Sequence, residues 1–350
     1  MSNARKLADN LPSVGQLSGR NMIVNGAMNV AQRSASVTGL GANATGYYTV
    51  DRWQIETGGS NSGRFTMSQS SDAPSGFGNS LKLDCTTADT SIAAGEYLLL
   101  EYHIEGQDLQ RIKKGTSDAE EVTISFYVKA NAAHNFVLEF YDNDNNRTCS
   151  KLFSTTTSWN RVELTYPADT TGAFENNESS SVRLFFWLHS GSNNTSGTLN
   201  SSAFNTQNSA NRAAGISSFY SSTNNELYIT GVQMEVGSQA SPFEHEPAGV
   251  TLSKCQRYFF YYGWPETGQY HWLYPINTTN GGGYRRGTLT FPTTMRAEPT
   301  CTVTIINTSG ASSGLDGGVW QSPSAANPFV NGENSGDHCY VTLFKADAEL

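Results

Sequence analysis

The stretch Val122 to Asp142, VTISFYVKANAAHNFVLEFYD, decides the fold class. In its first half Ile124, Phe126 and Val128 alternate with Ser125, Tyr127 and Lys129; in its second, Phe136, Leu138 and Phe140 alternate with Val137, Glu139 and Tyr141. Successive side chains of a strand point to opposite faces, so a period of two rich in aromatic and β-branched residues predicts two half-buried strands. The pattern recurs outward in both directions: YYTVDRWQIE (Tyr47 to Glu56), GNSLKLDCTT (Gly78 to Thr87), EYLLLEYHIEG (Glu96 to Gly106), WNRVELTYPAD (Trp159 to Asp169), SVRLFFWLHSG (Ser181 to Gly191) and ELYITGVQMEVG (Glu226 to Gly237). Gly, Asn, Asp or Pro bounds each run, and no long 3.6-residue periodicity intervenes. Parallel sheets need crossover helices, so these strands predict an all-β antiparallel sandwich.

Composition narrows what such a sandwich can do. Only 15% of the chain is Asp, Glu, Lys or Arg, against about 25% in an ordinary soluble domain. Ser, Thr, Asn and Gly must therefore carry the surface. A net charge of -9 without a basic run excludes a protein that tracks nucleic-acid phosphates. The start, MSNARKLADNLPSVGQ, has no apolar region, and no stretch reaches about 18 apolar residues, so neither a secretion leader nor a membrane insertion is expected. Cys85, Cys149, Cys255, Cys301 and Cys339 are odd in number and widely spaced, which predicts small buried hydrophobes rather than a disulfide framework or a zinc site.

At 350 residues the chain is long enough for two domains. A break falls at SPFEHEPAG (Ser241 to Gly249), where two prolines stop a strand and Thr251 or Ser253 is placed to cap a short helix. Beyond it YFFYYGW (Tyr258 to Trp264) opens a second strand set. The expected layout is an N-terminal extended arm over 1–20, a main sandwich over 21–246 and a smaller β-sandwich over 247–350. The polar segment Ser190 to Gly215 is long enough to be an excursion packed on a neighbour or over a sheet.

Four segments together carry a resemblance: NMIVNGAMNVAQRS (Asn21 to Ser34), YTVDRW (Tyr48 to Trp53), TGVQMEVGSQASPFEHEP (Thr230 to Pro247) and LSKCQRYF (Leu252 to Phe259). In this order, with FPTTMRAEPTCTVTI (Phe291 to Ile305) and the terminal ADAEL, they resemble bacteriophage tail-fibre and virion-appendage proteins. The middle of the chain is similar to jelly-roll carbohydrate-binding modules. The resemblance implies a jelly-roll fold and a non-enzymatic structural virion protein, assembled as a homotrimer and mediating host adhesion through surface polysaccharide. It also implies attachment to other virion proteins, for which Leu7, Leu11, Val14 and Leu17 of the arm are the candidates. A capsid decoration or fibre without a receptor role, and a stand-alone carbohydrate-binding module, are the alternatives. The arm itself departs from what the resemblance covers.

Alternation also yields a candidate surface. If Ile124, Phe126, Val128, Phe136, Leu138, Phe140, Val182, Leu184, Phe186 and Leu188 face the core, the opposite faces carry Tyr127, Lys129, Glu139, Tyr141, Arg183, Phe185, Trp187 and His189. Aromatic rings cover the apolar face of a pyranose while Arg, Glu and His satisfy its hydroxyls. The same ingredients build subunit interfaces, and a third reading buries them beneath the Ser190 to Gly215 excursion. All three stay open at this point. The aromatic run Tyr258 to Trp264 is expected between subunits, and Tyr47, Tyr48 and Trp53 in ordinary sandwich packing.

Motifs for catalysis lack their context. Gly310 to Gly314 matches GxSxG, yet LDGGVWQSP behind it cannot be the helix of a nucleophile elbow. Gly39 to Ala44 mimics a dinucleotide fingerprint without the βαβ frame. No P-loop or HExxH occurs, and no short repeat signals a β-helix. DNDNN (Asp142 to Asn146) starts like a calcium loop, but Arg147 stands where Gly is needed and the pattern favours a plain Asn/Asp turn. No cofactor is expected; the jelly-roll resemblance alone implies a structural calcium, with no ligands assigned.

Overall fold

The computed structural model describes residues 19–263, 276–277, 283–286, 288–307, 316–332 and 338–350. Contacts divide the chain into two compact units with the boundary between Thr251 and Leu252. The first is a jelly-roll β-sandwich. One sheet joins β1 (Ser36–Leu40), β4 (Arg64–Ser70), β5 (Ser80–Thr87), β13 (Glu226–Val236), β7 (Val122–Ala130) and β10 (Asn160–Tyr166), in that order. The other joins β12 (Asn205–Thr206), β9 (Arg147–Ser154), β8 (Asn135–Asp142), β11 (Ser180–Ser190), β6 (Tyr97–Glu105), β3 (Trp53–Gly58) and β2 (Thr45–Tyr47). Every pairing between them is antiparallel.

All ten residues assigned to the inward face by alternation lie in the single core between these sheets. Phe186 meets Trp53, Phe126 and Phe153 there, so rings from both sheets interlock across the sandwich. β7 and β8 are consecutive in sequence but belong to different sheets, because residues 131–134 carry the chain from one sheet to the other.

Three of the segments that carried the family resemblance, Asn21 to Ser34, Tyr48 to Trp53 and Thr230 to Pro247, contact one another in this unit and do structural work. Asn25, held at a left-handed φ of 59°, bonds through its side chain to Val30 and to the carbonyl of Asp51. Glu244 accepts the backbone N–H groups of Gly19, Arg20 and Asn21. Gly26 lies against the Val232 carbonyl so closely that a Cβ would stand 2.0 Å from it. Trp53 is fully buried against Tyr102, in line with the packing role expected of it.

The helix differs from expectation. It is α1 (Ala248–Gln256), which starts earlier than a Thr251 or Ser253 cap would allow. The Pro247 carbonyl accepts from Val250 and Thr251, and the fixed φ of proline suits a helix start. In the second unit β14 (Phe259–Gly263) and β18 (Thr300–Asn307) flank β21 (His338–Asp347), while β16 (Gly283–Arg286), β17 (Leu289–Thr290) and β19 (Asp316–Gln321) pair with β20 (Ala325–Gly332). Its core centres on Phe260, Phe291, Met295 and Phe344. The aromatic run is thus corrected in part: Tyr258, Phe259 and Phe260 are buried without any second subunit, and of its described residues only Tyr262 is exposed. Trp264, the arm residues Leu7, Leu11, Val14 and Leu17, and the Gly310 to Gly314 motif lie outside the described residues.

Candidate functional site

Register builds the site on the outer face of the seven-stranded sheet. Across β8, β11 and β6 one row reads Tyr141, Arg183, His103; the next reads Glu139, Phe185, Glu101; the third reads Val137, Trp187, Leu99. β3 extends these rows, with Gln54 opposite Glu101 and Glu56 opposite Leu99. Hence Glu139, Tyr141, Arg183, Phe185 and Trp187 come together as alternation on each strand required.

The excursion covers part of this face. Ala213, Leu199 and Ile216 pack with Leu99, Val137, Phe185 and Trp187 into a second, smaller apolar cluster. Arg212 joins it to charge. Its guanidinium lies 4.8 Å from the Trp187 ring centre, 5.0 Å from Phe185 and 5.5 Å from Tyr141. Glu139, fully buried, grips it through Nε at 2.9 and 3.0 Å and Nη2 at 2.9 Å, and also accepts from Trp187 Nε1 at 2.7 Å and from Thr148. A buried carboxylate persists only when its oxygens are satisfied, and here five contacts converge on two oxygens.

Beside Arg212 the face stays open. A cleft of about 250 Å³ is lined by Glu56, Tyr97, Tyr141, Asn143, Arg183 and Asn194, with Phe185, Trp187 and Arg212 at its wall. Arg183 donates to Glu101 at 2.7 Å and approaches Glu56 at 3.5 Å, while the Tyr97 hydroxyl donates to Glu56 at 2.7 Å. Burial, followed by the neighbouring Glu101 carboxylate, pushes the Glu56 carboxyl above its ordinary pKa. Burial likewise pushes Tyr97 up to about 12. The cleft therefore presents a phenol, amides, a guanidinium and the Glu56 carboxyl around aromatic walls, a set able to donate to and accept from hydroxyls.

Three of the eight candidate residues are elsewhere. Tyr127 and Lys129 stand on the outer face of the other sheet: Tyr127 packs on Phe77, and Lys129 sits 4.5 Å from the Tyr228 ring centre and pairs with Asp72. Alternation assigns each residue a side of its own strand and says nothing about which sheet the strand joins. His189 is turned away by a bulge between Trp187 and His189, which pairs it with the inward-facing Leu98. There it is buried against Tyr220, with Nδ1 2.8 Å from Ser218 Oγ, and desolvation holds its pKa down at about 4. Glu56, Tyr97 and Glu101 were missing from the expected face although the alternation of their own strands carries them, whereas Arg212 sits in a polar loop without any periodic signal.

The Asp142 turn does not fit a calcium ion. Lys114, almost wholly buried, places its ammonium 2.7 Å from Asp142 Oδ2 and 3.1 Å from Asp169 Oδ2, and donates to the carbonyls of Thr171 and Gly172. A tethered cation already fills the oxygen cage. Among the described residues no group of three or more His, Cys, Asp or Glu is placed to hold a metal. Cys85, Cys149 and Cys255 are buried free thiols and Cys301 is half-buried.

No protein-family model matches the chain, and no curated protein does. Among solved structures, a CBM4 carbohydrate-binding module covers 53% of this chain and 87% of its own at 12% identity and a TM-score of 0.30. TmCBM61, solved in complex with β-1,4-galactotriose, covers 62% of this chain and 99% of its own at 9% identity and 0.31. The enzymatically active domain of tailspike protein 4 from bacteriophage CBA120 covers 62% of this chain and 21% of its own at 12% identity and 0.32.

Proposed function

We propose that the first unit is a glycan-contacting module, binding without catalysis, in a homotrimeric bacteriophage virion appendage that adheres to host surface polysaccharide. The observation that supports it is the cleft on the outer face of the seven-stranded sheet, where Glu56, Tyr97, Asn143, Arg183 and Asn194 surround aromatic walls. Because Arg212 already covers the rings of Tyr141, Phe185 and Trp187, sugar is held by its hydroxyls at the cleft edge rather than by stacking on Trp187. Such single contacts are weak, and copy number multiplies them.

The test is retention of the full chain on a panel of bacterial surface polysaccharides, with Glu56→Gln and Tyr97→Phe as variants and light scattering for mass. Expected are polysaccharide retention lost in both variants and a particle of three times the 37.9 kDa chain mass. A folded chain that no polysaccharide retains overturns the glycan reading. A monomer that still binds overturns the appendage and leaves a stand-alone module.

A further inference from the structure

The excursion that covers the seven-stranded sheet carries a second cleft of about 370 Å³. Thr148, Thr198, Asn200, Asn205, Thr206 and Asn208 line it, with Leu199 and Asn211, and none of these residues is charged. Asn200 uses both ends of its amide to brace the loop, and Asn205, Asn208 and Asn211 use one each. Asn200 Nδ2 donates to the Thr148 carbonyl at 2.7 Å, Asn205 Nδ2 to Asn200 Oδ1 at 2.6 Å, and the Oδ1 atoms of Asn208 and Asn211 accept from the backbone N–H groups of Ala210 and Thr198. These bonds leave Asn205 Oδ1, the Nδ2 groups of Asn208 and Asn211 and the hydroxyls of Thr198 and Thr206 without a partner among the described residues. Thr198, Asn205, Thr206 and Asn208 are exposed.

The loop that presents them is held from below. Arg147 donates to the Phe204 carbonyl at 2.7 Å, Phe204 packs on Phe140, and β12 pairs with β9. Donors and acceptors fixed in advance cost little ordering on binding. The nearby cations are already engaged: Arg147 by Asp169 and Lys151 by the Ser201 carbonyl. An anionic ligand would find no free positive charge here, whereas vicinal sugar hydroxyls, which both donate and accept, match an amide end beside a hydroxyl.

We infer that this cleft is a subsite for uncharged sugar residues, separate from the aromatic cleft but carried by the same excursion, which contributes Asn211 to one and Arg212 to the other. The inference deepens the glycan reading and rests on it, with the excursion itself acting as a recognition element.

The experiment measures retention of the full chain on immobilised neutral gluco-, galacto- and manno-oligosaccharides beside uronic-acid oligosaccharides. Thr198→Val combined with Thr206→Val removes two hydroxyls that brace nothing; Glu56→Gln combined with Tyr97→Phe alters only the first cleft. The threonine pair is expected to weaken neutral oligosaccharide binding by about tenfold, the worth of two hydrogen bonds, at unchanged Tm. If the threonine pair binds like wild type while the Glu56/Tyr97 pair loses binding, the subsite falls and the first cleft stands. Loss in the threonine pair alone keeps the subsite and overturns the first cleft. Failure of the wild-type chain to retain any oligosaccharide overturns both.

Discussion

On the seven-stranded sheet Arg212 lies over Tyr141, Phe185 and Trp187 and is gripped by Glu139; on the six-stranded sheet Lys129 lies over Trp159 and Tyr228 and is gripped by Asp72. Both outer faces thus combine rings, a cation and a carboxylate. They differ in water. The Glu139 side chain is 0% exposed and the Asp72 side chain 45%. In the first case the cation comes from a loop folded over the face, its planar guanidinium engaged through Nε and Nη2. In the second it comes from the strand itself and stays at the solvent edge. The same chemistry closes one face around a fixed cluster and leaves the other as a screened surface pair.

The contrast is broken most directly by removing the carboxylates. Glu139→Ala strands the Arg212 guanidinium and the Trp187 N–H beneath the loop and is expected to cost about 3–5 kcal/mol, as breaking buried pairs does. Asp72→Ala is expected to cost below about 1 kcal/mol, the range of exposed pairs. Urea denaturation of both variants reads the difference, and equal costs would show that burial is not what separates the faces.

A pH titration of stability sharpens it further. His189 ionises near 4 in the folded chain against an ordinary 6.5. Between those values the unfolded chain binds the proton more readily, so this contribution is complete above 6.5 and is lost as pH falls toward 4, by up to about 3 kcal/mol. His189→Gln should flatten that slope in thermal melts. On the outer face of the six-stranded sheet, hydrogen bonds from Lys129 and Lys82 hold Asp72 and Glu226 below their ordinary values. Their contribution is present above the usual carboxylate range and is lost only as pH falls through and below it. A wild-type melt that stayed flat from 6.5 to 4 would remove His189 from this account.

Lys129→Met should change stability by less than about 1 kcal/mol, and that difference should vanish in 1 M salt. The coupling between Glu139 and Arg212, read by a double-mutant cycle, should survive the same salt. The smallest expected change is in the proposed polysaccharide binding. With only 15% charged residues and hydroxyl-directed contacts, polysaccharide retention should hold nearly constant from low to high ionic strength. A collapse would move the contact toward the charged six-stranded face.

Much of this site could be read along individual strands. Tyr141, Arg183, Phe185 and Trp187 share a face because each alternates with a residue the core requires, and Tyr97 and Glu101 follow the same rule on β6. What failed was anything that depends on where a strand goes next. Lys129 and Glu139 looked like one surface, but four residues between their strands cross the sandwich. His189 looked like a continuation of Trp187, but one extra residue in the ladder turned it inward.

The sequence by itself determined an all-β chain, its inward-facing residues and a low-charge surface rich in amides and hydroxyls, because period-two burial and composition are local properties. Only the tertiary structure decided that Arg212 seals three rings over a buried Glu139, that Lys114 fills an oxygen cage, and that two clefts flank the excursion. Those outcomes depend on residues far apart in the chain meeting through strand pairing and loop packing, which no period along the sequence encodes.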